Sequence, residues 1–326
     1  MKIMDVKINK DDEGQRIDIF LFNILIKDIP SMTRRLVQEN LSGGCLVNSR
    51  ACKKSYRVKA ADIISINTEF WEKLSKSLDL SNNIVPQEGN LDVRYEDSDI
   101  LVVYKPKGIA VHPGVGNQDN TLANFIRMYL EKKGEYDALV DRAGIVHRLD
   151  KGVSGLMVIA KNKLTQEYLK KEFASRNVIK IYNATVERVG DSKLETFKES
   201  EQRLDLKKYL SEMDISFEPW KEWFNMRGYI GRSSRNRYKM EFRLYEFGGS
   251  KYAESYILKS GNEVLVKIET GRMHQIRASL EYLGLRILGD TLYGSNGRNG
   301  NSSNIMLESV LLSFLNREGN RLTFTV

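Results

Sequence analysis

Gly144 to Asn162 spell GIVHRLDKGVSGLMVIAKN, two apolar runs with one carboxylate, Asp150, between them. Ile145 and Val146 predict the end of one buried strand and Leu156 to Ala160 the next, because short apolar runs bounded by glycine and polar residues suit central strands. The chain must then turn between Asp150 and Gly155, where Gly152 and Gly155 permit a tight backbone. An acid flanked by Arg148 and Lys151 at a strand mouth suits a cleft. Taken alone, the pattern describes a surface aspartate in a hairpin equally well.

Upstream, DILVVYKPKGIAVHPG predicts a strand from Asp99, a turn at Lys105 to Gly108 and a further extended stretch, Ile109 to Val111. His112 beside Pro113 reads as a packed or turn residue and is kept out of the site. Thr121 is expected to cap a helix that runs to Lys133 and stops at Gly134. Downstream, Leu164, Tyr168 and Phe173 recur at helical spacing before IKIYNATV, Ile179 to Val186, returns to alternation. Tyr182 in that strand is by itself most simply half-buried packing. After a strand at Val264 to Glu269 comes TGRMHQIRASLEYLGLRILGDTLYG, in which Gly271 permits a sharp turn into a helix. On that helix Ile276, Leu280 and Leu283 share one face, while His274 and Arg277 share another that can reach a site. On spacing alone, Arg277 would be a helix-surface partner of Glu281. SNGRNGNSSN then reads as a polar loop, and Ile305 to Phe314 with Leu322 to Val326 as closing strands.

The first 67 residues read as a separate small unit. Gln15 to Ile26 fits a helix, and a second begins after Pro30 with Ser31 as its cap and ends at Gly43 and Gly44. Strands follow at Cys45 to Asn48 and Ile63 to Ile66, with a turn at Asn48 and Ser49. Between Ser31 and Ala60 stand Arg34, Arg35, Arg50, Lys53, Lys54, Arg57 and Lys59 against one acid, Glu39. Such an imbalance suits a phosphate-binding face better than an ordinary solvated surface. Residues 68–90 show no pattern beyond Phe70 and Trp71 and are expected to be a linker. Residues 91–326 form the second unit, interrupted near 191–225 by a charged, largely helical insertion expected to lie outside the core, with Trp220, Trp223 and Phe224 near its end.

Composition narrows the class. Charged residues make up 29% of the 326 and there are only 5 prolines, so the chain is expected to fold throughout. A net charge of +8 favours a polyanionic partner. Cys45 and Cys52 with His112, His147 and His274 make neither a metal-ligand spacing nor a disulfide framework, so no metal is expected. No dinucleotide fingerprint or P-loop is present, so no cofactor is expected either. The start lacks an apolar signal core and no run approaches about 18 apolar residues, so a cytoplasmic protein with no membrane contact is expected.

Three of these motifs together resemble the RluA family of RNA pseudouridine synthases. The resemblance rests on HRLD with SGL at Asp150, on Lys180, Tyr182 and Ala184, and on Thr270 to Arg277, supported by the Lys-Pro-x-Gly turn and His112-Pro113. It resumes at Gly231-Arg232, Asn236-Arg237, Lys239-Met240 and Ala253 to Tyr256. The N-terminal unit is similar to the RNA-binding module named after ribosomal protein S-four. Departures stand at Val153, Met273 and Ser279, where the family usually has Thr, Thr or Ser, and often His.

The resemblance implies an α+β fold, a mixed and mainly antiparallel sheet preceded by a small α/β RNA-binding module. It implies isomerisation of uridine to pseudouridine in structured RNA, with large-subunit ribosomal RNA the expected partner and a monomer the expected form. Asp150 would be the catalytic carboxylate, Arg277 its partner and Tyr182 the residue lying over the base, either stacking on it or accepting the carbon 5 proton. Arg148 would hold the opened RNA, and Arg34, Arg35, Arg50, Lys53, Lys54 and Arg57 would contact phosphates. The alternative is a non-catalytic RNA-binding or ribosome-assembly factor on the same fold. A methyltransferase is disfavoured, because no glycine-rich nucleoside loop follows an early strand.

Overall fold

The computed structural model describes residues 3–29, 32, 34–81, 84–114, 117–137, 139–191, 197, 204–293 and 304–326, with the side chains of 35 and 75–81 excepted. The chain divides into two compact units, Met1–Asn83 and Ile84–Val326.

In the first unit a strand β1 (Ile3–Lys7) precedes helices α1 (Ile17–Asp28) and α2 (Arg34–Gly44), strands β2 (Cys45–Val47) and β3 (Ile63–Asn67), and helix α3 (Thr68–Ser81). The strands pair antiparallel in the order β1, β3, β2. Ile17, Leu21, Val37, Ile64 and Ile66 fill the space between sheet and helices. The cap expected at Ser31 lies outside the described residues. The linker expected at residues 68–90 is corrected. Phe70, Trp71 and Leu74 fall on one face of α3 and pack into this core, with Trp71 fully buried and its Nε1 donating to the Gly44 carbonyl at 2.9 Å. Any Cβ at Gly44 would lie 2.0 Å from the Trp71 ring, so glycine is required where α2 ends. Residues 84–90 belong to the second unit: Asn124 donates to the Val85 carbonyl at 2.7 Å and Arg127 to that of Ile84 at 2.6 Å. Phe70, Leu74 and Leu78 stand four apart in this segment, a helical spacing that the linker reading passed over.

The second unit comprises β4 (Asp92–Glu96), β5 (Ile100–Lys105), α4 (Leu122–Lys133), β6 (Ser154–Ala160), α5 (Lys163–Ala174), β7 (Ile179–Arg188), α6 (Leu206–Glu212), β8 (Phe224–Arg232), β9 (Met240–Arg243), β10 (Lys251–Ser260), β11 (Glu263–Ile268), α7 (Gln275–Tyr282), β12 (Leu285–Ile287), β13 (Leu307–Leu315) and β14 (Arg321–Thr325). Among the described residues the strands form one sheet in the order β4, β5, β6, β13, β7, β11, β10, β8, β9, with β12 pairing β7 and β14 pairing β13. Only β6 and β13 run parallel; the other pairings are antiparallel, so the fold is α+β with a mainly antiparallel sheet. Every residue of β6 is buried, as its unbroken apolar run requires of a strand covered on both faces. Helix α4 begins at Thr121, whose side chain and that of Asn124 form a reciprocal capping box, and ends at Gly134 in the left-handed conformation.

Two expectations are corrected here. Ile145 makes a single bridge to Ile159 rather than ending a strand, because the chain enters it from a short 3-10 turn, Asp141–Gly144. The part of 191–225 that is described is not outside the core. Trp220 and Trp223 are 2% and 6% exposed and pack with Leu206, Ile181, Leu265 and Leu311 against the sheet, while Phe224 opens β8. Two indoles supply far more apolar surface than a solvated arm can leave in water. The polar loop expected at 295–304 lies outside the described residues apart from Asn304.

Candidate active site

Asp150 sits in the turn that leads into β6, where the Val153 amide donates to its carbonyl at 3.0 Å. The Lys-Pro turn supports this loop from below. The Lys105 ammonium, fully buried, donates to the carbonyls of Pro106 and Ile109 at 2.9 Å each and of Lys151 at 3.3 Å, and Gly108 donates its amide to Lys151 at 2.8 Å. Burial pushes the Lys105 ammonium down to about 8, with the Asp150 charge working the other way. Gly155 adopts φ +122°, and a Cβ there would meet the Ser309 backbone at 2.4 Å, so glycine lets β6 close against β13 directly beside the Asp150 turn.

Tyr182 lies in the middle of β7, opposite Val266 on one side and Ser309 on the other. It is 7% exposed and lines the same cleft, of about 1100 Å³, as Asp150 and Arg277. Burial, then the nearby Asp150 charge, raises its phenol well above the ordinary tyrosine range, so it is neutral at pH 7. A neutral phenol can stack on a base or donate a hydrogen bond. As a proton acceptor it is poorly poised, which weighs against the carbon 5 role.

Arg277 comes from α7, whose Ile276, Leu280 and following Leu283 face the core. It does not pair with Glu281, which takes Lys239 at 3.0 Å. The Arg277 Nη1 stands 3.6 Å from Asp150 Oδ2, a Coulombic contact longer than a hydrogen bond. Its short partner is Asp290, which accepts from Nε and Nη2 at 2.7 Å each. Burial opposes the guanidinium's charge, but Asp290 and then Asp150 more than offset it and hold its pKa above the usual arginine value. Asp290 carried no signal in the sequence beyond its place in the long third motif, because its role depends on which way the turn after β12 directs it.

His274 also faces Asp150, with Nε2 3.8 Å from Oδ2, in the left-handed conformation that starts α7. Its Nδ1 lies 3.2 Å from the Tyr293 hydroxyl, which accepts from the Met240 amide at 2.9 Å and donates to the Met240 carbonyl at 3.0 Å. With the phenol's proton committed to that carbonyl, Nδ1 carries the imidazole hydrogen. Burial, then Arg277, lowers the His274 pKa, so the neutral ring turns a bare Nε2 toward the cleft. Gln275 fixes this turn: its amide oxygen accepts from Thr270 Oγ1 at 2.8 Å and the Arg272 amide at 3.0 Å, while its nitrogen donates to the Glu254 carbonyl and Ser255 Oγ.

The cleft therefore brings together Asp150, Tyr182, Arg277 and, at its exposed rim, Arg148. Sequence reasoning missed Tyr238, which reaches the cleft from the loop between β8 and β9, and gave no site role to Lys180 of the strand motif, whose ammonium lies over the Phe173 ring at 5.4 Å. Burial, then Lys267, lowers Lys180 to about 8. The run Arg232 to Lys239, rich in arginine, was the available signal for the first.

The basic residues named in the first 83 residues belong to the other compact unit. Arg50, Lys53, Lys54 and Arg57 are exposed, and Arg57 also donates to the Gly14 carbonyl at 2.7 Å. Arg34 is partly committed: with Arg16 it binds the buried Asp18 at 2.9 Å, and burial of Asp18 is outweighed by Gln38 and the two arginines, which lower it to about 2. Two guanidiniums share one carboxylate, so the cluster keeps a positive charge. The side chain of Arg35 lies outside the described residues.

The RNA pseudouridylate synthase family matches residues 99–282. An RNA pseudouridine synthase of Chlorobaculum parvum is 35% identical over 89% of this chain and 79% of its own length. The RNA pseudouridine synthase YlyB of Bacillus subtilis is 28% identical, with 90% and 84% covered. The ribosomal large subunit pseudouridine synthase D of Escherichia coli K12 is 29% identical, with 89% and 76% covered. The cleft lies within a catalytic unit of that kind, and the chain belongs to the RNA pseudouridine synthase family, isomerases that act on RNA.

Proposed function

We propose that Asp150 is the catalytic carboxylate of this pseudouridine synthase, that Arg277 orients it, that Tyr182 lies over the extruded uracil, and that the target uridines are in large-subunit ribosomal RNA. The observation that carries the reading is the convergence of three motifs, far apart in sequence, on one cleft. Making pseudouridine breaks the bond between uracil N1 and the ribose, turns the base over and joins its carbon 5 to the same sugar carbon. A carboxylate at the reacting nucleotide can divide that isomerisation into easier steps. It must stay partly open to the substrate, and Asp150 keeps about a third of its side-chain surface exposed (34%). Tyr182, neutral and largely buried in the sheet but lining the cleft, offers its ring to a base taken out of its stack. Arg148 at the rim holds the opened backbone.

The ribosomal assignment is supported by the names of relatives, the large subunit pseudouridine synthases D of Escherichia coli and Zymomonas mobilis. Arg34, Arg35, Arg50, Lys53, Lys54 and Arg57 contact phosphates without reading bases, and residues up to 83 serve as an RNA-binding module. The test is pseudouridine mapping of ribosomal RNA from cells lacking the protein, complemented with wild type or with Asp150→Asn. Wild type alone should restore the missing positions. Unchanged large-subunit RNA in the deletion strain would refute the ribosomal target, and restoration by Asp150→Asn would refute the catalyst.

A further inference from the structure

Arg277 is held from the side away from Asp150. Its Nε and Nη2 both donate to Asp290 at 2.7 Å, and the guanidinium lies over the Tyr293 ring at 4.8 Å. Asp290 is in turn fixed, because its Oδ1 also accepts the amides of Leu292 and Tyr293 at 3.1 Å each. The Asp290 side chain has no exposure and that of Arg277 has 7%. Of the three guanidinium nitrogens, only Nη1 is left to face Asp150.

We propose that Asp290 is a positioning residue for the isomerisation: it turns a single Arg277 nitrogen toward Asp150 and prevents the guanidinium from closing on that carboxylate. A free guanidinium and carboxylate prefer the two-bond fork. Were Arg277 to form it with Asp150, both carboxylate oxygens would be engaged and unavailable to the nucleotide. Asp290 occupies the fork first. One guanidinium then serves two carboxylates, so Asp150 is steered at 3.6 Å while keeping its open face. The other charged or titratable groups around the pair are His274, Arg148, Tyr182, Tyr293 and Lys105, and among the described residues His274 and Arg277 are the cationic or potentially cationic side chains within 4 Å of Asp150. This inference rests on Asp150 being the catalyst.

Single-turnover tritium release, with enzyme in saturating excess over a large-subunit ribosomal RNA transcript labelled at uracil carbon 5 and active with wild type, separates the chemical step from binding. Asp290→Asn should slow that step about 100-fold, the scale of a small misplacement of a reacting group, while RNA affinity stays at the wild-type value. Asp290→Glu keeps the charge-assisted bonds one methylene further out and should recover about tenfold of the loss. A purely structural role would lower thermal stability and leave the single-turnover rate of folded protein unchanged, which would overturn the inference. If Asp290→Asn does not fold, Asp290→Glu decides: slowed chemistry with intact binding supports the proposal, and a wild-type rate overturns it. Asp150→Asn run alongside keeps the two readings apart. A silent Asp150→Asn with Asp290→Asn at the wild-type rate refutes only the role of Asp290, whereas an active Asp150→Asn removes the catalyst assignment on which it depends.

Discussion

Replacing Arg277 by methionine should damage both activity and stability, whereas Asp150→Asn should damage activity alone. The difference follows from where each charge sits. Arg277→Met leaves Asp290, with no exposed side-chain surface, without its cation; only the amides of Leu292 and Tyr293 remain to satisfy it. Breaking a buried pair from one side costs about 3–5 kcal/mol. In a domain of this size each kcal/mol moves the midpoint by roughly 2–4 °C, so the melting temperature of the catalytic unit should fall by about 10 °C. Asp150 is a third exposed, makes no hydrogen-bond-length contact with Arg277, which stands at 3.6 Å, and its loss leaves the two Arg277–Asp290 bonds in place. Its neutralisation should change stability by less than about 1 kcal/mol. Thermal unfolding followed by circular dichroism at neutral pH, with tritium release measured on the same preparations, makes the comparison. A midpoint for Arg277→Met indistinguishable from that of Asp150→Asn would refute the argument that Asp290 is a buried charge dependent on Arg277.

Glu96 offers a pH test. Its burial is outweighed by Lys133, Tyr129 and Lys161, which lower it from 4.5 to about 2. A depressed carboxylate contributes stability that is present above the unfolded value and lost as pH falls through the folded one. Glu96→Gln should therefore cost up to about 3 kcal/mol at pH 7, with the gap to wild type closing between pH 4.5 and 2 in denaturant titrations. Trp220→Ala should destabilise the catalytic unit by about 3–5 kcal/mol, because the indole is buried against the sheet; a midpoint unchanged in urea would return the segment to the status of a decorated loop. Tyr182→Phe should retain most of the rate and Tyr182→Leu little of it, since the neutral phenol's value is its ring; equal losses in both would point to the hydroxyl. Changing Arg50, Lys53 and Lys54 to glutamine together should flatten the salt dependence of RNA binding, each lost phosphate contact removing about 0.7–0.9 from the log–log slope. An identical slope would place the RNA elsewhere.

The site's chemistry was legible in local sequence to the extent that it depends on residue identity. A single acid between two apolar runs, a strand tyrosine, and a helix with one apolar and one polar face are all periodicity arguments, and β6, β7, α4 and α7 follow them. Resemblance to a family then supplied the roles that spacing left open. The helix at Thr68–Ser81 left a trace in the spacing of Phe70, Leu74 and Leu78, but the full burial of Trp71 was not legible, because it comes from an indole meeting a glycine 27 residues away. The placement of Trp220 and Trp223 was not legible for a similar reason: aromatic residues in a charged segment give no sign of which sheet face will cover them.

What the sequence by itself determined is the set of elements and the short list of residues able to do the chemistry. Only the tertiary structure decided how the charges divide. Arg277 lies three residues from His274 and thirteen from Asp290, and nothing in that spacing says which carboxylate receives the two-bond fork. The choice is made where the turn after β12 delivers Asp290 beneath α7 and the Lys105-supported loop delivers Asp150 only to within 3.6 Å. Electrostatic pairing depends on distance and burial across the whole fold, and neither is a property of neighbouring residues in the chain.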